Sequence, residues 1–158
     1  PLIEKAIIES CRIKKQIVEV DEKEKGMRRL LNFGHTVGHA LEKLTHYHLS
    51  HGEAVAVGLL VESYISCELG FLSQEVLARI KKILVHYLLP LQFSYRFSSE
   101  AIIQTMRSDK KSLNGTPRFA LIQGIGEPMA FEGCYCTPVD EKIIKKAIEW
   151  MNDDCCCD

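Results

Sequence analysis

The chain has 158 residues, 46% of them hydrophobic, and its 20 basic and 21 acidic side chains give a formal net charge of -1. This length and composition suit one ordinary core, so we expect a single domain. The interspersed charges leave no basic field for nucleic acid, and no apolar run approaches the roughly 20 residues that span a bilayer, so neither nucleic acid nor a membrane is an expected partner.

The first predicted element is an amphipathic helix between Leu2 and Val20, where apolar residues recur at helical spacing with charged residues between them. The segment at 21–26, DEKEKG, interrupts the pattern. A second helix is predicted from near Met27 to about Leu44. Its polar residues recur at intervals of four and three and therefore share one face, namely Arg28, Asn32, His35, His39 and Glu42.

The third predicted helix, at 51–69, is apolar nearly all round, as is typical of a helix buried in a bundle. Ser50 and Glu53 have the spacing of a capping box at its start, and Gly70 follows its end. We therefore expect His51 to lie in the first turn of this helix.

Two further helices are predicted from serine caps. Ser73 begins a fourth helical pattern that stops at Leu89-Pro90, and either Ser98 or Ser99 caps a shorter helix through about Arg107. The pattern then changes from helical to turn-rich.

Turn signals at Asn114-Gly115 and Gly124 to Pro128 surround a short β-like run from Arg118 to Gln123, which predicts a small hairpin or two. Thr137-Pro138 then has the character of a helix start, with the last helix running to about Met151. The predicted fold is mainly α, a multi-helix bundle with a small β-hairpin.

The cysteines are odd in number and lack the spacing of a disulfide framework: Cys11, Cys67, Cys134, Cys136 and Cys155 to Cys157. We interpret them as reduced thiols of a cytoplasmic protein. Cys134 and Cys136 with the terminal triplet are an alternative soft-metal site, but two CxxC pairs are missing. A disordered Cys-rich tail at 153–158 is the better interpretation.

The stretch from Arg28 to Glu53 contains five of the six histidines. A chain reversal between the second and third helices would bring His51 beside His35. The positive end of the helix macrodipole disfavours imidazolium at His51, and a metal ligand must be neutral. Two histidines are two of the three protein ligands that a catalytic zinc site normally takes. The third ligand is missing from the sequence pattern.

Other interpretations of this stretch remain open. A polar helix face opposite an apolar one is also typical of a solvated surface, although Gly34 and Gly38 would allow close approach of a backbone or ligand. His39 is either a second ligand or an acid/base group, because histidine titrates near neutrality. His46 and His48 are turn histidines that compete for the ligand role.

Three segments in order resemble the C-terminal domain of the 3-dehydroquinate synthase family: CRIKKQIVEVDEKEKGMRRLLNFGHTVGHALE, LSHGEAVAVGL and DKKSLNGTPRFALIQGIGE. Related sugar-phosphate cyclases share parts of the pattern. The family resembles iron-dependent alcohol dehydrogenases, with an N-terminal NAD-binding domain and a helical C-terminal domain. The resemblance implies that 1–152 is the helical domain alone, without the NAD-binding domain. The absence of methionine at Pro1 agrees with a fragment boundary or a processed end.

The implied activity is the conversion of 3-deoxy-D-arabino-heptulosonate 7-phosphate to 3-dehydroquinate and phosphate, a step of the shikimate pathway toward aromatic amino acids. The resemblance implies NAD and a divalent metal, zinc or cobalt, as cofactors. It also implies a phosphorylated sugar-acid substrate, a homodimer at full length, and an isolated helical domain that is inactive.

Carried over by position, the resemblance implies that His35 and His51 bind the metal, with a glutamate from the N-terminal half as third ligand. Glu24 and His39 take proton-transfer roles. Contacts to the substrate are implied for Lys14, Arg28, Asn32 and Lys110, with Lys111 as a rival for the last position. The alternatives are a related sugar-phosphate cyclase and a non-catalytic helical module that binds a metal or a partner.

Overall fold

The computed structural model describes residues 2–92, 96–108 and 115–153. Within these ranges the fold is mainly α, as predicted, with two small antiparallel sheets. The helices are α1 (Leu2–Val20), a 3₁₀ helix (Met27–Asn32), α2 (His35–Leu44), α3 (His51–Glu68), α4 (Gln74–His86), α5 (Ser99–Arg107) and α6 (Glu141–Asp153). The strands are β1 (Arg118–Phe119), β2 (Ile122–Gly124), β3 (Glu127–Pro128) and β4 (Thr137–Pro138).

Helix α3 lies at the centre of the bundle and packs against α2, α4 and α6. Its burial confirms the prediction from its apolar sequence, because apolar surface all round a helix must be covered by neighbours. The fully buried core residues come from several elements, among them Val37, Leu41, Val57, Leu60, Ile65, Ile102, Phe119 and Ile148.

The continuous second helix predicted from Met27 to Leu44 is wrong. A 3₁₀ helix ends at Asn32, and Gly34 adopts a left-handed conformation with φ of 80° before α2 begins at His35. Glycine takes this conformation at no steric cost, so the chain turns here instead of continuing as a helix. Arg28 and Asn32 therefore do not share a helix face with His35 and His39.

Close backbone contact joins α2 to α3, which confirms the prediction made from Gly34 and Gly38. A Cβ atom built on Gly58 would lie 1.9 Å from the carbonyl oxygen of Gly34, and one on Gly38 would lie 3.1 Å from that of Ala54. Gly34, just before α2, and Gly38, within it, thus both face the backbone of α3. Gly58 is the facing glycine that helical spacing alone did not identify.

The predicted serine caps are confirmed. The Ser50 backbone N–H donates to the Glu53 carboxylate at 3.0 Å, and the Glu53 N–H donates to the Ser50 hydroxyl at 3.4 Å, which completes the capping box. Ser73 caps α4, and Ser98 caps α5 through the N–H of Ala101 at 3.2 Å. Of the two candidate caps of α5, Ser98 is therefore the one that acts.

The β region departs from the prediction in two ways. The run from Arg118 to Gln123 forms two strands, because β1 pairs with β4 while β2 pairs with β3. Thr137-Pro138, predicted as a helix start, is β4 itself, and α6 begins at Glu141 with the Asp140 carboxylate accepting the N–H of Lys142 at 2.8 Å. Proline is tolerated here because both strands of a two-stranded sheet are edges.

Two predictions fall partly or wholly outside the described residues. Lys110 and its rival Lys111 lie outside them, and so do residues 154–158 of the predicted tail, whereas Asp153 ends α6. None of the helices in the described ranges combines the length and the apolar character that a membrane crossing requires.

Candidate active site

Three histidines meet where α2 approaches the start of α3. The ring centroids of His35 and His51 are 5.2 Å apart, those of His35 and His39 5.4 Å, and those of His39 and His51 5.9 Å. The turn between the two helices thus makes the chain reversal that the sequence predicted. The glycine contacts between α2 and α3 set how closely these rings approach.

Glu42 joins this cluster through His51. The Nδ1 atom of His51 lies 3.2 Å from both carboxylate oxygens of Glu42, whose side chain is 14% exposed. A carboxylate at Nδ1 holds the proton on that nitrogen, so the lone pair is on Nε2. His35 has a comparable contact, with Nδ1 3.2 Å from the Phe33 carbonyl oxygen. Both rings are therefore oriented through Nδ1.

This donor set fits a divalent metal ion. Ligand atoms of His39, Glu42 and His51 all lie within 4.8 Å of one another. Imidazole nitrogens with one carboxylate oxygen are donors that Zn²⁺ takes in catalytic sites. Glu42 belongs to the polar set found in the sequence, yet spacing did not identify it as a candidate ligand. Geometry leaves two pairings with His51, through His35 or through His39.

The loop before the 3₁₀ helix is organised by Asp21. Its carboxylate accepts the backbone N–H groups of Lys25 at 3.0 Å, Gly26 at 2.7 Å and Arg28 at 3.0 Å. Chiefly through the hydrogen bond from Gly26, these donors lower the pKa of Asp21. Glu24 within this loop has a φ of 54°, a left-handed conformation held by the surrounding contacts.

Glu24 and Asn32, two predicted site residues, are in direct contact, because the Asn32 side-chain amide donates to a Glu24 carboxylate oxygen at 2.7 Å. Both line a cavity of about 540 Å³ that extends toward β1. The remaining lining residues are Arg29, Thr36, Arg118, Ala120 and Cys136. This cavity carries two guanidinium groups, at Arg29 and Arg118, that sequence spacing did not find.

Arg29 was missed because the predicted second helix is broken, and Arg118 was missed because it is distant in sequence. In the 3₁₀ segment Arg29 lines the cavity, while the Arg28 guanidinium donates to the Glu22 carbonyl at 2.7 Å. Arg118 reaches the site through tertiary structure, since the Thr36 hydroxyl donates to its carbonyl oxygen at 2.8 Å. Lys14, a predicted substrate contact, is exposed on α1, which packs against the 3₁₀ helix.

A buried carboxyl group supports the start of α2. Glu62 is fully buried on α3, and its side chain accepts the N–H of Gly34 at 2.8 Å and of Val37 at 3.5 Å. Burial raises the pKa of Glu62 to about 8 although the N–H donors of Gly34, Val37 and Thr36 act to lower it. Glu62 thus holds the turn that positions His35.

The comparisons with known sequences agree on one family. The family described as 3-dehydroquinate synthase C-terminal matches residues 1–112. A 3-dehydroquinate synthase from Crocosphaera subtropica is 40% identical over 93% of the chain, and one from Thermococcus kodakarensis is 40% identical over 96%. The chain spans 39% and 42% of the lengths of these two relatives, respectively.

Solved structures share the fold. A 2-deoxy-scyllo-inosose synthase complexed with carbaglucose-6-phosphate, NAD⁺ and Co²⁺ superposes with a TM-score of 0.72 at 25% identity, covering 79% of this chain and 35% of that one. A 2-epi-5-epi-valiolone synthase from Streptomyces hygroscopicus subsp. jinggangensis, with NAD⁺ and Zn²⁺ bound, has a TM-score of 0.72 at 22% identity, covering 87% and 37%. The second likeness concerns the fold alone.

Proposed function

The chain belongs to the 3-dehydroquinate synthase C-terminal family, and from this premise we propose that it is the metal- and substrate-binding part of a 3-dehydroquinate synthase. That lyase converts 3-deoxy-D-arabino-heptulosonate 7-phosphate to 3-dehydroquinate and phosphate in the shikimate pathway. The observation that carries the proposal is the cluster of His35, His39 and His51, whose ring centroids lie within 5.9 Å of one another.

The proposed metal is a divalent ion, zinc or cobalt, bound by His35 and His51, with a further ligand from another part of the synthase. Such an ion polarises hydroxyl and carbonyl oxygens of a substrate. Support comes from the Nδ1 contacts that orient both rings and from the Co²⁺ in the related 2-deoxy-scyllo-inosose synthase structure. Glu42 then acts on the metal indirectly, by orienting His51.

The proposed roles of the polar side chains follow from the family resemblance, and the contact between Asn32 and Glu24 supports them. The Glu24 carboxylate accepts a proton from the substrate, and Asn32, which donates to it at 2.7 Å, orients it and binds a substrate hydroxyl. His39 moves a second proton beside the metal ligands. Lys14, Arg28 and Lys110 supply positive charge for the carboxylate and phosphate groups of the substrate.

The proposed cofactor NAD accepts and returns a hydride during the reaction. Since the chain spans about two fifths of its curated relatives, we place the nucleotide site on an N-terminal domain that partners this one, in a cytoplasmic enzyme that is a homodimer at full length. The chain by itself is then expected to lack turnover, because oxidation of the substrate requires that cofactor.

Complementation tests this proposal. The 158-residue chain is mixed with the N-terminal half of a 3-dehydroquinate synthase, NAD, zinc and substrate, and phosphate release is measured. We expect release from the mixture but not from either part, and its loss in His35→Ala and His51→Ala. His86→Ala, an exposed histidine on α4, is the matched control that retains activity. Phosphate release that survives both substitutions would contradict the metal assignment.

The likeness to a 2-deoxy-scyllo-inosose synthase favours one alternative, a related sugar-phosphate cyclase. The same mixture is assayed with heptulosonate 7-phosphate and with sedoheptulose 7-phosphate. Turnover of the first substrate supports the synthase, whereas turnover of only the second supports the cyclase. A chain that binds zinc through the histidines but complements neither reaction would be a non-catalytic module.

A further inference from the structure

Cys134 and Cys136 form a close thiol pair, and Cys136 lines the cavity that Glu24 and Asn32 also line. A tight turn places Cys134: the Phe131 N–H donates to the Cys134 carbonyl at 2.7 Å, and the Cys134 N–H donates to the Phe131 carbonyl at 2.9 Å, across Glu132 and Gly133 at positive φ. The two sulfur atoms lie 3.7 Å apart. A disulfide needs roughly 2.05 Å between sulfurs, so the two side chains must move closer together to form one.

Two guanidinium groups face this pair. Arg29 donates to the Cys134 sulfur at 3.0 Å and lies 3.8 Å from the Cys136 sulfur. Arg118 donates to the Cys136 carbonyl at 2.9 Å, and its Nε is a buried donor for which the described residues provide no acceptor. Positive charge at this distance favours the thiolate, the reactive form of cysteine.

The electrostatics of the pair distinguish it from the other described cysteines. Burial acts to raise the pKa of the Cys134 thiol, but hydrogen bonds from the Cys136 N–H and thiol and from Arg29 outweigh it and lower that pKa to about 7. Burial, followed by the charge of Glu68, raises the pKa of Cys67 to about 11. Cys67 is therefore expected to be alkylated slowly at pH 7, because little of it is thiolate.

The surroundings disfavour a metal at this pair. A cation between the sulfurs would face the Arg29 guanidinium, which already contacts both of them. The soft-metal alternative considered from the sequence also needs ligands from Cys155 to Cys157, which lie outside the described residues. An uncharged electrophile meets no such repulsion, and the cavity of about 540 Å³ that Cys136 and Arg29 line gives it access to the Cys136 side of the pair.

We propose that Cys134 and Cys136 form an oxidisable dithiol site whose substrate is a small hydroperoxide, with Cys134 as the attacking thiolate, Cys136 as the resolving thiol, and Arg29 as the residue that activates Cys134. The site shares none of the proposed metal ligands. It also neighbours Glu24, since the Arg29 Nε donates to the Glu24 carbonyl at 3.2 Å.

The chemistry balances with the peroxide as the only oxidant. The Cys134 sulfur attacks one peroxide oxygen, an S–O bond forms, the O–O bond breaks, and the leaving hydroxide takes a proton to become water. The Cys136 sulfur then attacks the sulfenic sulfur, the S–S bond forms, the S–O bond breaks, and the departing hydroxide takes the Cys136 proton. Two thiols and one hydrogen peroxide thus give one disulfide and two waters. An added dithiol reverses the oxidation by exchange.

The test treats the full 158-residue chain with one equivalent of hydrogen peroxide at pH 7, blocks residual thiols with iodoacetamide, and maps tryptic peptides by mass. Peptide 119–142 contains both cysteines and none of the others. We expect this peptide to escape alkylation and to lose the mass of two hydrogens, and a dithiol to reverse the loss. Oxidation of Met129 in this peptide adds an oxygen mass instead, so the two reactions are distinguishable.

Serine variants test the proposed role of each cysteine. Cys136→Ser is expected to stop at the sulfenic acid, which dimedone traps on Cys134, and Cys134→Ser to abolish the rapid reaction. In the untreated chain, Cys134 should alkylate about fivefold faster at pH 7 than a thiol of ordinary pKa, once the lower nucleophilicity of an acidic thiol is included. Exposed Cys11 is the reference for this comparison and Cys67 the slow internal control.

Arg29→Gln should remove most of the difference between the alkylation rates of Cys134 and Cys11. Arg12→Gln, which removes an exposed arginine paired with Glu9 on α1, should leave that difference unchanged. The proposal is overturned if peptide 119–142 of the unaltered chain gains no disulfide, or if Cys134 alkylates no faster than Cys11. Equal alkylation rates in Arg29→Gln and the unaltered chain would overturn the role of Arg29. The first two measurements need no variant, so a misfolded substitution does not leave the proposal untested.

Discussion

Glu42 shows how one carboxylate affects the candidate metal site without being one of its proposed ligands. Its contact with Nδ1 of His51 fixes which nitrogen of the ring carries the lone pair. Helical spacing predicted that Glu42 lies on the same face as the histidines. It could not predict the contact, because His51 belongs to the next helix and the crossing of the two helices is a tertiary feature.

Removing this contact gives a prediction at the residue scale. In Glu42→Gln the carboxylate that holds the Nδ1 proton is lost, and we expect zinc affinity of the 158-residue chain to fall about tenfold, as for other carboxylates behind a ligating histidine. Calorimetric titration with zinc measures the change. Glu75→Gln, at an exposed position on α4, is the matched control. Equal affinities for both variants would contradict the role of Glu42.

Glu62 predicts a pH dependence of stability. Its pKa is raised to about 8 in the folded protein, above the roughly 4.3 of an unfolded glutamate, so the folded state binds more protons between these values. The stability contributed by protonated Glu62 is therefore fully present below about pH 4 and is lost as the pH rises toward 8.

Urea unfolding at pH 5 and pH 7 measures this effect. The unaltered chain should lose up to about 3 kcal/mol over this interval relative to Glu62→Gln, whose amide does not titrate. Comparing the two proteins cancels the titration of the histidines that they share. Parallel stability curves would show that Glu62 is ionised throughout. Glu62 lies between the terminal Glu53 and Glu68 of an otherwise apolar helix, a sequence signal for a buried, hydrogen-bonded carboxyl group that was missed.

At the scale of elements, the contact between α2 and α3 depends on the absence of side chains. The Cβ of an alanine at position 58 would lie 1.9 Å from the Gly34 carbonyl oxygen. The contacting atoms belong to the backbone, which cannot move aside as the end of a flexible side chain can. A GxxxG spacing predicted close approach on α2, but only the structure shows which residue of α3 faces it.

Gly58→Ala is therefore expected to lower the free energy of unfolding by about 3 kcal/mol or to prevent folding, because overpacking forces the helices apart. Gly52→Ala in the same helix is the control, since its Cβ would have no atom within 4 Å, and it should be neutral or slightly stabilising. Chemical denaturation compares the two. Equal stability of both variants would mean that the helices separate at little cost.

Elements formed by contacts between residues close in sequence could be predicted, whereas elements formed by contacts between distant residues could not. The caps at Ser50, Ser73 and Ser98 are local, and their spacing predicted them correctly. The pairing of β1 with β4 joins segments near positions 118 and 138 and leaves no periodic signal, so Thr137-Pro138 was assigned to a helix. The break at Gly34 depends on Glu62, which is distant in sequence.

For the whole molecule, helix α1 carries exposed apolar surface. Leu2, Ile3, Ile7 and Ile8 are each more than half exposed. Apolar surface of this extent favours association. The resemblance to the synthase family predicted the fold as a whole, whereas helix amphipathicity alone did not reveal that the apolar face of α1 remains uncovered.

We therefore expect the isolated chain to self-associate in a concentration-dependent way, measured by analytical ultracentrifugation. The double variant Ile3→Lys and Ile7→Lys should shift the distribution toward monomer. Ser10→Lys with Gln16→Lys adds the same charge to exposed positions on α1 without removing apolar surface, and it should shift the distribution less. A chain that sediments as a single monomer at all concentrations would refute the expectation.

The residues of the histidine cluster, His35, His39, Glu42 and His51, all belong to one helical hairpin, joined by the short turn at 45–50. Closing so short a loop costs little chain entropy, and contacts of low sequence separation form early in folding. We therefore expect the histidine cluster to assemble before the strand pairing of β1 with β4 completes the neighbouring cavity. During synthesis this hairpin leaves the ribosome before the cavity wall at Arg118 does, so the proposed ligands are available to a metal ion on a chain that is still being made.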